Sequence, residues 1–288
     1  MTTYKSKLVS IFTASLMLTF LASSIKPSKA FIPDVYLPVK KELDSTSINI
    51  GKTAIKLLKY NQPKEALRLS KLAISLNSQN LQLWIILAES QVRLNLLKDA
   101  IQSLSKAEKL DENIATILFF KASVYSKLEK PNAALKLINK GLLLEPQNPG
   151  GYFQQGNALI KQTKLRKALN SFNKAYSINN KFWQALNNKG LVLYEMNKTK
   201  NAVISWRKAL EIKKDAETML ALSTAIYEEN ENEAIELAKT ALINNPNYVA
   251  EDYQKSQLWG SRLRQDTKKL FKNPKLSSTI DKAFSTTQ

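Results

Sequence analysis

The sequence contains no cysteine and no histidine. Without cysteine there is no disulfide, thiolate nucleophile or Cys-based zinc site, and without histidine there is no imidazole base or Ser–His pair. A glycine-rich loop of the phosphate-binding kind is also missing. These absences remove the most common catalytic groups. We therefore predict that the protein is not an enzyme and carries no cofactor or metal.

Glycine and proline are scarce as well, with 7 and 9 among 288 residues. Since these two residue types mark most turns, little of the chain is spent on turns. Hydrophobic residues make up 44%, which is ordinary for a folded domain. The composition favours helices joined by short loops.

Acidic residues are outnumbered, 24 against 43 Lys and Arg, which gives a formal charge of +19. No Asp or Glu occurs between Pro146 and Tyr194. The predicted basic patch in this stretch consists of Lys161, Lys164, Arg166, Lys167 and Lys174. Two interpretations stay open. The patch meets an acidic protein or a membrane complex, or its side chains form solvated outer faces.

Residues 1–30 have the pattern of a signal peptide. Lys5 and Lys7 precede an uncharged apolar stretch that runs from residue 8 to residue 25, and Ser28 and Ala30 supply the small residues of a cleavage site. We expect export with cleavage after Ala30. The alternative is an uncleaved N-terminal anchor, which would allow membrane association.

The strongest positive signal is self-similarity at a spacing of 34 residues. Two columns show it: the small residues Ala66, Ala100, Ala134, Ala168 and Ala202, and the large apolar residues Ile50, Trp84, Leu118, Tyr152 and Leu186. Small residues at fixed places let helices approach closely, and large ones fill the space between. The predicted segments are an N-terminal arm (31–46), six repeats (47–80, 81–114, 115–148, 149–182, 183–215 and 216–247) and a C-terminal capping helix with a tail (248–288).

These columns resemble the tetratricopeptide repeat, in which each unit is a pair of antiparallel helices. Residues 151–158 are similar to the first helix of that family's repeat and residues 167–175 to the second. The resemblance implies an all-α, right-handed solenoid of about six hairpins. Residues 248–272 are spaced as one capping helix that leaves Arg262 and Arg264 in water, with a short last helix at about 276–284. The arrangement resembles exported repeat proteins of photosynthetic bacteria, which implies a periplasm or a thylakoid lumen.

The resemblance also implies a peptide-binding groove, because the first helix of each pair lines the concave side in this family. The family's peptide binders use asparagines 31 residues apart to hold a ligand backbone, which Asn157 and Asn188 match. The predicted groove residues are Phe119, Phe153, Asn157, Asn187, Asn188 and Tyr194. The sequence departs from the family's clamp for free C-terminal carboxylates, since Phe153 replaces its first lysine and Glu217 and Ala221 lie near its later basic positions.

We therefore predict a protein–protein interaction scaffold or assembly factor in an extracytoplasmic compartment, with a protein segment bound in the groove. The alternative is a membrane-tethered basic scaffold that contacts anionic surfaces. Nucleic acid is not expected as a partner, because the aromatic residues occupy structural columns. A carboxylate-based hydrolase has little support, since Glu195 on an inner helix has no second acid near it.

Overall fold

A computed structural model describes residues 38–287 of the chain. These residues are helical throughout and contain no β-strand. Twelve helices alternate in pairs: α1 (Lys40–Lys59), α2 (Pro63–Leu76), α3 (Leu81–Arg93), α4 (Leu97–Leu110), α5 (Ala115–Lys127), α6 (Pro131–Leu144), α7 (Pro149–Lys161), α8 (Leu165–Ile178), α9 (Trp183–Glu195), α10 (Thr199–Ile212), α11 (Ala216–Ile226) and α12 (Glu231–Asn244). The C-terminal region follows with α13 (Glu251–Ser256), α14 (Ser261–Leu270) and α15 (Ser277–Thr287), and with two 3-10 turns, Pro246–Val249 and Pro274–Leu276.

The turn inside each of the first five hairpins has one residue in the left-handed region. This residue recurs every 34 positions with φ between 54° and 60°: Asn61, Asn95, Glu129, Thr163 and Asn197. Asparagine tolerates this conformation better than most side chains, whereas a β-branched residue such as Thr163 is strained in it. The left-handed residue ends the first helix and reverses the chain, so the second helix packs antiparallel to the first.

The small-residue columns form the contact between the helices of each pair. The alanines at 66, 100, 134, 168 and 202 are fully buried. Two of the closest approaches use glycine, because a Cβ on Gly156 would overlap the ring of Phe172 and a Cβ on Gly190 would overlap the indole of Trp206. Close backbone approach with large side chains in between gives a continuous apolar core along the stack.

From α2 to α12 each helix packs on its neighbours in sequence, and the first helices α5, α7, α9 and α11 also contact one another. These first helices therefore line the inner, concave side of the stack. The second helices α2, α4, α6, α8 and α10 form the outer side. The predicted class, an all-α solenoid of about six hairpins closed by a C-terminal cap, is confirmed.

The N-terminal predictions fall mostly outside the described part of the chain. The signal segment 1–30 and residues 31–37 of the arm lie there, so the cleaved and anchored alternatives both stay open. The end of the arm differs from expectation, because α1 begins at Lys40 instead of after residue 46. Pro38 is the last proline before this helix, and the Glu42 carboxylate accepts a hydrogen bond from the Val39 amide at 3.1 Å. Among residues 38–287, no helix has the length and apolarity needed to cross a bilayer.

The C-terminal cap differs most from the prediction. The single helix expected over residues 248–272 is wrong, since the chain breaks after α13, where Leu258 adopts φ 68°. The predicted solvent exposure of two arginines is also wrong. Arg262 donates to the Tyr194 carbonyl at 2.6 Å, and Arg264 donates to the Trp259 carbonyl at 3.0 Å. The last helix, α15, does form after Pro274, where we expected it.

Candidate functional site

The inner face of the solenoid is divided into an open part and a covered part. Helix α14 lies against the inner helices α9 and α11, so the chain's own C-terminal segment covers the inner face of the last two repeats. Helix α15 instead packs against α12 and the Pro246–Val249 turn, where it closes the end of the stack. The described residues place no comparable segment on the inner face of the first four repeats, which we call the open inner face.

Trp259 anchors the covering segment. Its side chain is 2% exposed and belongs to the same apolar cluster as Leu220 and Leu222 of α11. Its indole Nε1 donates to the Glu217 carboxylate at 2.9 Å. An aromatic side chain with a satisfied polar atom in a desolvated pocket is the typical anchor of a protein–protein contact. The inner face therefore holds a peptide segment through a tryptophan pocket.

Helices α9 and α14 cap each other at the same place. The Glu195 carboxylate, at the end of α9, accepts the amides of Arg262 at 3.3 Å and Leu263 at 3.0 Å in the first turn of α14. In return, the Arg262 guanidinium donates to the Tyr194 carbonyl in the last turn of α9 and lies 4.3 Å from the Tyr194 ring centroid. A carboxylate at a helix start and a cation at a helix end both match the helix dipoles.

The Glu217 carboxylate beneath Trp259 has an altered acidity. Burial raises the pKa of this carboxyl to about 7, and the nearby charge of Asp215 adds to the rise. Hydrogen bonds from Trp259, Tyr248 and Asn187 favour the ionised form and offset part of the shift. Glu217 is therefore a group that titrates near neutral pH inside the contact between cap and inner face.

Four of the six predicted groove residues are buried as the chain is folded. Phe119, Asn187, Asn188 and Tyr194 are each 7% exposed or less. Phe119 fills the space over Gly141 and Gly151, and the Tyr194 hydroxyl donates to Asp266 of α14 at 2.9 Å. The role predicted for these four side chains, direct contact with a foreign ligand, conflicts with this placement, because neighbouring helices and the cap already occupy their surfaces.

The other two predicted groove residues, Phe153 and Asn157, are partly exposed on α7. The two spaced asparagines bind each other, since the Asn188 Nδ2 donates to the Asn157 Oδ1 at 2.8 Å. Within residues 38–287 the Asn157 Nδ2 has no such partner, so its donors are available to a ligand. Phe153 packs at 5.2 Å between ring centroids against Phe182. Their role in binding stays a prediction.

A row of cations runs along the open inner face. Glu195 shows that the thirteenth position of a repeat reaches the inner side, because it contacts α14 there. The equivalent residues of the first four repeats are Lys59, Arg93, Lys127 and Lys161. Arg93 pairs with Glu89 at 2.8 Å and Lys161 with Glu129 at 2.8 Å. Lys59 and Lys127 are exposed and have no ion pair within the described part of the chain.

The predicted basic patch is divided between two faces. Lys161 lies at the end of the inner helix α7. The remaining members, Lys164, Arg166, Lys167 and Lys174, are exposed in or just before the outer helix α8, and none has an ion pair among residues 38–287. The patch is therefore not one surface.

The sequence analysis did not predict the covering segment, nor that Glu195 and Glu217 bind it. A signal was present in the Leu258-Trp259-Gly260-Ser261 sequence, because a glycine followed by serine often marks a helix start. Gly260 has a specific reason to be glycine, since a Cβ there would overlap the Glu195 carboxylate. The apolar spacing of the region suggested one continuous helix and outweighed that signal.

The profile of the tetratricopeptide repeat matches residues 115–148, 149–182 and 184–215. These ranges comprise α5 and α6, α7 and α8, and α9 and α10.

Three known proteins are similar to this chain over more than half of its length. Protein O-mannosyl-transferase TMTC1 of Homo sapiens is 27% identical over 168 residues, which span 56% of this chain and only 19% of that protein. PilF of Pseudomonas aeruginosa has a TM-score of 0.63 and 15% identity, with 76% of this chain and 98% of that chain covered. MamA (41-end) of Desulfovibrio magneticus RS-1 has a TM-score of 0.54 and 19% identity, with 60% and 96% covered. At these identities the two structures share the fold alone.

Proposed function

Because this chain is a tetratricopeptide-repeat protein, we propose that it is a non-catalytic scaffold that binds a protein segment along its open inner face. One observation carries this proposal. In the next two repeats the same inner face already holds a peptide segment, the chain's own residues 258–270, through a tryptophan pocket and a pair of capped helix ends. A surface that accepts one segment in cis has the shape and chemistry to accept another in trans.

The side chains of the open inner face indicate the chemistry of the ligand. Ile48 and Ile55 of α1 are 41% and 40% exposed and offer apolar contacts. Asn157 offers donors to a peptide carbonyl. Lys59 and Lys127, the two cations of the row without an ion pair among the described residues, favour a segment with acidic side chains. The proposed ligand is an extended or turn-like protein segment that combines aliphatic and acidic residues.

The proposed absence of catalysis rests on the contacts that already occupy the inner-face carboxylates. Glu195 is engaged by two backbone amides, and Glu217 lies under Trp259. Neither carboxylate faces open space with a second acid beside it, as a pair of hydrolytic carboxylates requires.

The proposed compartment is extracytoplasmic, either periplasm or thylakoid lumen. Its support is the charge and hydropathy pattern of residues 1–30. N-terminal sequencing of protein isolated from its host tests this. A chain that starts at Phe31 supports export with cleavage, and a chain that keeps the preceding residues supports the anchored alternative.

Affinity capture with matched variants tests the groove. The inner variant combines Lys59→Gln, Lys127→Gln and Asn157→Ala. The control carries the same three types of change at exposed positions of the outer helices, Lys71→Gln, Lys109→Gln and Asn173→Ala. We expect the inner variant to recover about tenfold less of a discrete protein partner than the wild type, and the control to recover it normally. Equal recovery by both variants would remove the inner face as the binding site.

A further inference from the structure

The outer helices carry a regular stripe of cations. In each of α2, α4, α6, α8 and α10, three positions four residues apart form one side of the helix, and two of the three are Lys or Arg. The third is polar or aliphatic, and none is acidic. We call this set the outer stripe: Lys64, Arg68, Leu72, Lys98, Gln102, Lys106, Asn132, Lys136, Lys140, Arg166, Asn170, Lys174, Lys200, Ile204 and Lys208.

All residues of the outer stripe are exposed. Within residues 38–287 only one of its cations has an ion pair, Lys140, whose Nζ lies 3.7 Å from the Glu108 carboxylate. The acids Glu65 and Asp99 flank the stripe in the first two repeats. In α12 the equivalent central position is Glu236, so the stripe ends with the fifth repeat. Apart from Lys140, no cation of this positive surface is neutralised by an ion pair within the described residues.

The dimensions of the outer stripe indicate an extended partner. Eight residues of a helix rise about 12 Å, and five neighbouring outer helices about 10 Å apart extend the stripe to roughly 40 Å. Neighbouring cations are therefore about one Debye length apart at physiological salt, and their fields overlap. A small anion would contact one or two of these side chains, whereas an extended anionic surface can contact several of them at once.

Exposed aliphatic side chains accompany the cations. Leu72 and Ile204 within the stripe are 48% and 55% exposed, and Leu143, next to it on α6, is 84% exposed. Aliphatic residues among lysines are typical of surfaces that rest at the headgroup level of a bilayer. No outer helix from α2 to α10 exposes a large aromatic side chain on which a nucleic-acid base could stack. This combination favours lipid over nucleic acid.

We propose that the outer stripe binds the headgroup surface of an anionic lipid bilayer. This goes beyond the inner-face function, because the stripe lies on the opposite side of the solenoid and leaves the open inner face accessible. Lipids in a fluid bilayer rearrange beneath fixed cations, so a curved row of helices needs no matching register in its partner. The bilayer contact would orient the inner face away from the membrane.

Vesicle sedimentation with the full chain tests this proposal. The stripe variant is Lys98→Gln, Lys106→Gln, Lys174→Gln and Lys208→Gln. The matched control, with the same loss of charge, is Lys52→Gln, Lys56→Gln, Lys255→Gln and Lys282→Gln, all exposed and outside the stripe. Vesicles contain either phosphatidylcholine alone or equal parts of phosphatidylcholine and phosphatidylglycerol, and the neutral vesicles report any contribution that does not depend on lipid charge.

We expect the wild type and the control to bind anionic vesicles and to release them at high salt. The stripe variant should bind them about tenfold or more weakly, with unchanged circular dichroism. An equal loss in both variants would overturn the proposal, because charge alone would then explain binding. Tighter binding of the wild type to single-stranded DNA than to anionic vesicles at the same salt would overturn it in favour of nucleic acid.

Discussion

Single residues set how closely the two helices of a pair approach. Two different residue combinations occur at this contact. Where the large residue of the second helix is an aliphatic, Leu104 or Ile138, the facing position of the first helix is an alanine, at 88 and 122. Where it is aromatic, Phe172 or Trp206, the facing position is a glycine, at 156 and 190. The volume lost on one helix therefore compensates for the volume gained on the other.

Gly190→Ala should lower the free energy of unfolding by about 1–3 kcal/mol, because the added methyl group overlaps the buried indole of Trp206. Helix propensity alone predicts a gain of about 1 kcal/mol from this change. In a Trp206→Leu background the overlap disappears, so the same alanine should become neutral or stabilising. Urea denaturation of the four proteins of this cycle measures the coupling, and additive effects would contradict the steric explanation.

Glu217 gives the chain an unusual pH dependence. Its pKa is about 7 in the folded protein, above the ordinary 4.5, so the folded state binds more protons between these values and stability falls as pH rises through them. The stabilisation is fully present below about pH 4.5 and lost above about pH 7. Since the chain has no histidine, few other groups titrate between pH 5.5 and pH 8.

We expect the wild type to be less stable at pH 8 than at pH 5.5 by about 2 kcal/mol, less than the full shift implies because pH 5.5 already lies above the pKa of the unfolded state. Glu217→Gln keeps the shape and removes the proton, so its stability should change much less over this range. Thermal unfolding of both proteins at the two pH values checks this. A wild type and a Gln variant with parallel pH profiles would show that Glu217 is not the titrating group.

At the scale of elements, the docking of α14 depends on caps supplied by another helix. The Gly260 that precedes α14 has no capping side chain of its own, and the Glu195 carboxylate fills that role from α9. Arg262 serves the end of α9 in the same way. Capping thus depends on tertiary contact here, and it couples the cap to the inner face of the fifth repeat.

Glu195→Ala should loosen α14 without unfolding the repeats, because two helix-start amides lose their acceptor at a cost of about 1–2 kcal/mol. The matched control is Glu211→Ala, an exposed acid with no ion pair among the described residues. Hydrogen exchange should accelerate in residues 258–270 of the Glu195 variant only. Unchanged protection of that segment would mean that the Trp259 pocket alone holds it.

The helix pairs were predictable from sequence for a physical reason. Each repeat contacts only its neighbours, so the columns at 66, 100, 134, 168 and 202 report local packing that every unit repeats. The C-terminal cap was not predictable in this way. It occurs once in the chain, so its residues do not recur at a 34-residue spacing. The helix break at Leu258 lets Trp259 enter a pocket at Glu217. Glu217 lies about 40 residues earlier in the sequence.

At the scale of the whole molecule, the solenoid offers two chemically different faces. The inner face combines aliphatic side chains, an asparagine and a row of cations, and its last two repeats are filled by the chain itself. The outer face presents a stripe of cations, of which only Lys140 has an ion pair among the described residues. The proposed scaffold would bring two partners together by holding each on its own side.

The site was only partly predictable from the sequence. Phe153 and Asn157 are partly exposed on the inner helix α7, and their positions follow from the repeat register alone. The register also places Tyr194 on an inner helix. Its side chain is covered, however, because Arg262 and Asp266 of α14 lie on it. Register predicts which way a side chain points, whereas its accessibility depends on long-range contacts that a single sequence does not display.

Site-specific photo-crosslinking in the native host tests the central claim most directly. A photoreactive phenylalanine derivative replaces Phe153 on the inner face in one protein and Leu143 on the outer face in another. We expect a discrete protein adduct from position 153 and none from position 143. A protein adduct formed only from position 143 would contradict binding in the inner groove.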